Sequence, residues 1–262
     1  MSSNSDAIIQ WFSQIGNRYV ESYLSAHDVN VGLLRCNPEY GLKLFLFRWA
    51  YERSGASYAY RIAAVKSVSA AWPDLSKIPQ EYSKFYRGHK NASHNPCLDS
   101  KIEQVNIPRI VEWIEQGNLE KAFHCLQVRG IAHKIAAFFI RDIITVIQSE
   151  NKVKDIKNYL YCQPIDTWVR DTVDILALPT PTLTETFHAT HYRIYNAKDL
   201  NKAIRIIYAS LRAGVSPLRV NQGIWYFSSN AVGDSGRLRE LLTNADTKKL
   251  ADELSLIDKF MP

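Results

Sequence analysis

The stretch LEKAFHCLQVRGIAHKIAAFFIRDIITVIQ, residues 119–148, decides the fold class. Leu119 to Val128 reads as a short helix and His133 to Gln148 as a long apolar one. Arg129, Gly130, Ile131 and Ala132 form a tight turn between them, in which Gly130 lets the chain bend and lets another backbone come close. Two helices joined in this way make a helix-hairpin-helix. Backbone N–H groups point outward at the start of the second helix, at the positive end of its dipole, so the turn is a natural phosphate cradle. Such contacts hold a DNA strand without reading its sequence.

Helical spacing continues on both sides. It predicts helices from Ala7 to Val20, over GLKLFLFRWAY at 41–51, and from Tyr58 to Trp72, where Pro73 stops it. Ser76 to Pro96 carries Lys77, Lys84, Arg87 and Lys90 among aromatics and reads as a basic, loop-containing surface. A helix resumes at Pro108 and stops at Gln116-Gly117-Asn118. After the apolar helix, Ser149 to Lys157 is a polar patch, and Gln163-Pro164-Ile165-Asp166 starts a new helix. Thr180 to Thr186 reads as a loop. Further helical signals cover 198–211, 220–227 and 234–242. Strand-like alternation is scarce, and the reading is all-α.

At 262 residues the chain suits one large domain or two small lobes. With 46% hydrophobic and 22% charged residues it is neither disordered nor a coiled coil. No apolar run approaches the ~18 residues of a membrane span, and the start MSSNSDAIIQWF lacks the basic flank and apolar stretch of a secretory signal. Cys36, Cys97, Cys125 and Cys162 lie far apart, which favours a reducing compartment over a disulfide scaffold. The net charge of +6 permits a polyanionic partner without demanding one.

Two residues carry the chemistry. Lys134 sits in the first turn of the apolar helix. The dipole there disfavours a cation, and if the site is also partly desolvated both effects favour the neutral amine, a nucleophile. Asp166 opens the helix after Pro164, which gives its carboxylate a fixed direction. Taken singly, Asp166 is a common N-cap and Lys134 a solvated lysine. The joint pattern of a hairpin glycine, a lysine four residues later and a Pro-x-Asp step before a strong helix is what points to function.

RGIAHKIAAFFIRD at 129–142 followed by QPIDTWVRD at 163–171 resembles the helix-hairpin-helix-GPD superfamily of base-excision DNA glycosylases. The interval, length and helical character are most similar to the archaeal-type 8-oxoguanine (AGOG) branch. About sixty residues carry this resemblance. It implies two helical lobes, a hairpin lobe near 60–160 and a second lobe of 1–59 plus 161–262, with an active-site cleft between them. It also implies a bifunctional glycosylase and AP lyase. Lys134 is then the Schiff-base nucleophile, and Asp166 stabilises positive charge on the sugar and assists proton transfer. Arg129, Gly130, Ala132 and His133 hold the DNA backbone. Asn221 and Trp225, four positions apart, line the base pocket.

Two positions depart from the family pattern. Ala132 stands where a second Gly is usual, and Asn221 where an acid is expected. An amide both donates and accepts, so the pocket reads a different base edge from a carboxylate. The expected partner is double-stranded DNA with a damaged or modified base, 8-oxoguanine first. No metal, organic cofactor or membrane is called for, and the expected state is a monomer in the cytoplasm, associated with the nucleoid. The H-x-x-H of His188 and His191, and the group His89, His94 and Cys97, each lack a full ligand set of recognisable spacing. The alternatives are a glycosylase for another base, a non-catalytic hairpin DNA-binding protein, and a helical interaction protein.

Overall fold

The computed structural model describes residues 3–50, 58–85, 100–128, 131–181 and 195–243. Among them every regular element is a helix, and there is no strand. The chain divides into two compact units. One is continuous, His27–Val153; the other is split, Met1–Ala26 with Lys154–Pro262. Residues 27–59 therefore share a unit with 60–153.

The split unit begins with α1 (Ser3–Arg18), whose Ile8, Ile9, Phe12 and Ile15 are buried at helical spacing. The helix runs on past the expected end as a π-helical turn, Tyr19–Leu24. The C-terminal part adds α9 (Ile156–Leu160), α10 (Thr167–Ile175), α11 (Ala197–Arg212), α12 (Pro217–Tyr226) and α13 (Ser235–Thr243). α12 also continues as a π-helical turn, Phe227–Val232, closed by Gly233 in the left-handed conformation.

α1 and α12 form the main helix pair of this unit. Their approach depends on two glycines. A β-carbon on Gly223 would fall on the Phe12 carbonyl, 2.8 Å from its carbon and 2.9 Å from Gly16 N. A β-carbon on Gly16 would stand 2.7 Å from the Arg219 carbonyl carbon. Absent side chains thus let the two backbones touch, a use of glycine that outweighs its poor helix propensity. Arg212 pairs with Asp6 at 2.6 Å and Gln10 Nε2 donates to the Ala213 carbonyl at 3.1 Å, tying α1 to the end of α11.

The continuous unit contains α2 (Val31–Cys36), α3 (Pro38–Arg48), α4 (Tyr58–Ala71), α5 (Ile78–Phe85), α6 (Ile107–Glu115), α7 (Leu119–Leu126) and α8 (His133–Val146). The basic stretch from Ser76 contributes α5; its remainder beyond Phe85 lies outside the described residues up to 99. α6 buries Ile107, Ile110, Val111 and Ile114, and α7 buries Leu119, Ala122, Phe123 and Leu126. Both follow the i, i+3, i+4, i+7 rule, and the two stripes pack on each other. Gly117, at φ 77°, makes the turn between them.

α8 is buried from Ile135 through Thr145, including Arg141 and Asp142. Those charges are compensated. Arg141 Nε donates to Asp142 Oδ1 at 2.9 Å, Trp49 Nε1 donates to Oδ2 at 2.9 Å, and the guanidinium lies 4.5 Å from the Phe138 ring centre. A buried pair is tolerated when its polar atoms are met in this way. Among the described residues no helix is long and apolar enough to cross a membrane.

Candidate functional site

Asp166 is the N-cap of α10. Its backbone is extended, at φ −107° and ψ −173°, and its Oδ1 accepts a hydrogen bond from Val169 N at 2.9 Å. The side chain is buried, at 5% exposure. The bond satisfies one of the donors a helix start leaves open and fixes the carboxylate on its own backbone.

The segment before it is anchored by Tyr195, two residues ahead of α11, and by Asn221 on α12, both in the same unit. Tyr195 places its hydroxyl against the carbonyls of Gln163, at 2.7 Å, and Leu160. Burial is the main cause holding the Tyr195 phenol well above its usual pKa, helped by the nearby Cys162, Asp199 and Tyr161, so it remains a neutral donor. Asn221 on α12 is fully buried, and its Nδ2 donates to the Pro164 carbonyl at 3.2 Å. This contact gives the amide at 221 a local reason. A carboxylate there would set lone pairs against lone pairs, whereas an amide supplies the proton.

One turn into α10, Arg170 grips Asp199 in a two-pronged ion pair, Nε to Oδ1 at 2.6 Å and Nη2 to Oδ2 at 3.0 Å. Asp199 is 1% exposed and also accepts from Asn196 Nδ2 at 2.8 Å. The Asp199 hydrogen bond is the leading cause raising the Arg170 pKa, with attraction to Asp166 and Asp171 contributing; burial opposes it. Asp166 therefore sits in the field of a firmly held cation.

Trp225 is half-buried in an aromatic cluster. Its ring centre lies 5.5 Å from Tyr23 and 5.8 Å from Tyr19, both edge-on, and Tyr19 stacks on Tyr23 at 5.3 Å. One π-helical turn supplies Tyr19 and Tyr23 to this cluster, and the other begins directly after Trp225 and Tyr226. π-Helical turns recur at functional sites. Tyr226 and Phe227 are buried, so within the Trp-Tyr-Phe run Trp225 alone is half-open.

The continuous unit carries the rest. Ala132 is exposed at the N-cap of α8 and offers no side-chain cap; its carbonyl accepts from Ile135 N at 3.0 Å. His133 and Lys134 are half-buried in the first turn, and Ile131, at 2% exposure, anchors the chain leading in. Arg129 and Gly130 lie outside the described residues, as do His89, His94, Cys97, His188 and His191. Thus Asp166 and Asn221 are brought together through Pro164 in the split unit, while Lys134, His133 and Ala132 belong to the continuous one.

A groove of about 280 Å³ opens beside α6, lined by Asn106, Arg109, Trp113, Cys125 and Val128 among others. The Arg109 guanidinium lies 5.3 Å from the Trp113 ring centre. Burial pushes the Cys125 thiol pKa up, which keeps it protonated and weakly nucleophilic. Among the described residues no group of three or more His, Cys, Asp or Glu is placed to hold a metal ion.

Tyr195, Asn196 and Asp199 were not indicated by the sequence. Tyr195 and Asp199 act on carbonyls and a guanidinium about thirty positions away in the chain, a relation that no local pattern signals, while Asn196 is the local N-cap of α11. No protein-family model, curated protein or solved structure matches the chain.

Proposed function

We propose that this protein is a DNA glycosylase with AP lyase activity that removes a modified base, an oxidised purine such as 8-oxoguanine first. The observation that carries the reading is Asp166, a buried carboxylate fixed by its own helix start, with the preceding segment held by Tyr195 and Asn221. A capping role needs only one carboxylate oxygen and no such anchoring of residues 160–164. Lys134 supports it: a half-buried amine in the first turn of α8, after an N-cap that offers no side-chain oxygen of its own.

In this reading the hairpin between α7 and α8 holds the DNA backbone through first-turn N–H groups. The target nucleotide leaves the stack, at a cost of a few kcal/mol. The neutral Lys134 amine attacks C1′ as the C1′–N bond breaks, and the base departs with the bonding electrons and takes up a proton. Asp166 stabilises the positive charge that develops on the sugar and accepts the proton that Lys134 sheds. Ring opening gives an imine between Lys134 and C1′. Loss of a C2′ proton then expels the 3′ phosphate by β-elimination, and water releases the lysine.

Borohydride reduces that imine to a stable protein–DNA adduct. The parent protein with a lesion-bearing duplex is expected to form it, and Lys134→Gln to lose it while still binding DNA. Adduct formation by Lys134→Gln at the parent level would place the nucleophile elsewhere. A protein that binds DNA in a salt-sensitive way but never traps would be the non-catalytic hairpin protein.

A further inference from the structure

Three residues before Asp166 stands a glutamine whose polar end has no hydrogen-bond partner among the described residues. Gln163 is fully buried, and neither Nε2 nor Oε1 meets a hydrogen-bond partner. Along the same segment the carbonyls of Leu160 and Gln163 face Tyr195, the Pro164 carbonyl accepts from Asn221, and Pro164 has no N–H to give. Buried side-chain polar atoms are nearly always partnered, because an unmet donor or acceptor bears its full desolvation penalty. Methionine would fill the same volume with no such penalty. The unmet pair also sits on a backbone that Tyr195 and Asn221 immobilise, so the side chain starts from a preset point and direction.

We propose that Gln163 is the base-reading residue of the excision site, its carboxamide pairing with a lactam edge of the displaced base, a carbonyl beside an N–H. The inference rests on the glycosylase reading above. A primary amide suits this edge, since Nε2 donates to the carbonyl oxygen while Oε1 accepts from the N–H in two parallel bonds. The substrate class is a keto-form base. An oxidised purine belongs to it, with N7–H beside C8=O. On binding, the base supplies both partners to a carboxamide that is buried and unmatched in the ligand-free protein. Only a base with that edge removes the penalty, which is how a site built around buried polar groups rejects analogues that lack them.

The test compares two reactions of the full chain. One is excision from duplexes carrying a single 8-oxoguanine, uracil or 3-methyladenine, the last having no lactam edge. The other is cleavage of a preformed abasic duplex, which has no base to read. The parent is expected to excise one of the first two bases and to cleave the abasic site. Gln163→Met is expected to lower excision kcat/KM by at least about tenfold, with abasic cleavage unchanged and Tm equal to or above the parent's. Gln163→Glu, which keeps an acceptor and loses the donor, is expected to lose excision while retaining abasic cleavage. Excision by Gln163→Met at the parent rate, or parallel loss of both reactions with a fall in Tm, overturns the proposal and leaves the amide a structural group. So does a parent that excises only 3-methyladenine. A parent inactive on the abasic duplex and untrapped by borohydride removes the glycosylase reading itself, and this inference with it.

Discussion

Replacing Gly223 with alanine sets two effects of opposite sign against each other. In a helix interior alanine is favoured over glycine by about 1 kcal/mol, so on propensity alone the variant gains stability. The α1–α12 crossing opposes this. The new methyl group would land on the Phe12 carbonyl and stand 2.9 Å from Gly16 N. Both obstacles are backbone, so no side chain can swing aside. Relief requires the helices to separate, which loosens Ile8, Phe12, Ile15, Val220 and Ile224, all of them buried. Overpacking costs about 1–3 kcal/mol and sometimes more. An unyielding backbone contact belongs at the top of that range, leaving a net loss of about 2 kcal/mol after the propensity gain. For a chain of this size that lowers Tm by about 4–8 °C. Urea unfolding followed by circular dichroism should show a lower midpoint with an unchanged slope. Gly16→Ala should behave alike, and the double variant should lose less than the sum, because both methyls act on one crossing. A Gly223→Ala protein as stable as the parent, or more so, would refute the backbone contact and the reasoning built on it.

Asn221→Asp should destabilise by about 3 kcal/mol or more at neutral pH, because it buries a carboxylate against the Pro164 carbonyl. Burial raises that carboxyl's pKa in the folded state, so stability should return as pH falls and the protonated acid donates; melting curves at pH 4.5 and 7.5 that show the same loss would contradict this. Tyr195→Phe should cost about 1–2 kcal/mol at pH 7. The Tyr195 phenol is raised on folding, so it contributes stability below its unfolded value of about 10 and loses it as pH climbs toward the folded value. The parent should therefore destabilise more steeply above pH 10 than Tyr195→Phe, as read from urea midpoints across pH 9–11; equal slopes would count against a buried neutral phenol.

How far the fold could be read from residues depended on element length. α6, α7 and α8 were legible because each carries enough apolar residues to repeat the i, i+3, i+4 spacing. α2 buries only Leu34 across six residues, and α9 spans five in a polar stretch, so neither has a period to detect. Both are set by caps, Asn30 and Asp155, that look in sequence like ordinary loop residues. α5 was hidden by its charge: Lys84 pairs along the helix with Glu81 while Ile78 and Tyr82 face inward. The π-helical turns break the 3.6 period that helix reading depends on. At the site, the Asp166 cap was readable because it closes over three residues. Its anchoring was not, since Tyr195 and Asn221 bind backbone carbonyls, which any residue type presents.

The split unit has a consequence for biosynthesis. α1 leaves the ribosome about two hundred residues before α12, the helix that covers its apolar stripe. At about 5–20 residues per second, the interval is on the order of ten seconds or longer. Throughout it Ile8, Ile9, Phe12 and Ile15 lack the surface they are shaped for, while the continuous unit is completed in sequence within the same interval and becomes free to fold. The nascent chain thus exposes the sticky stripe of α1 until α12 is made. Chaperone capture at that helix follows from the order in which the two parts of its unit are made.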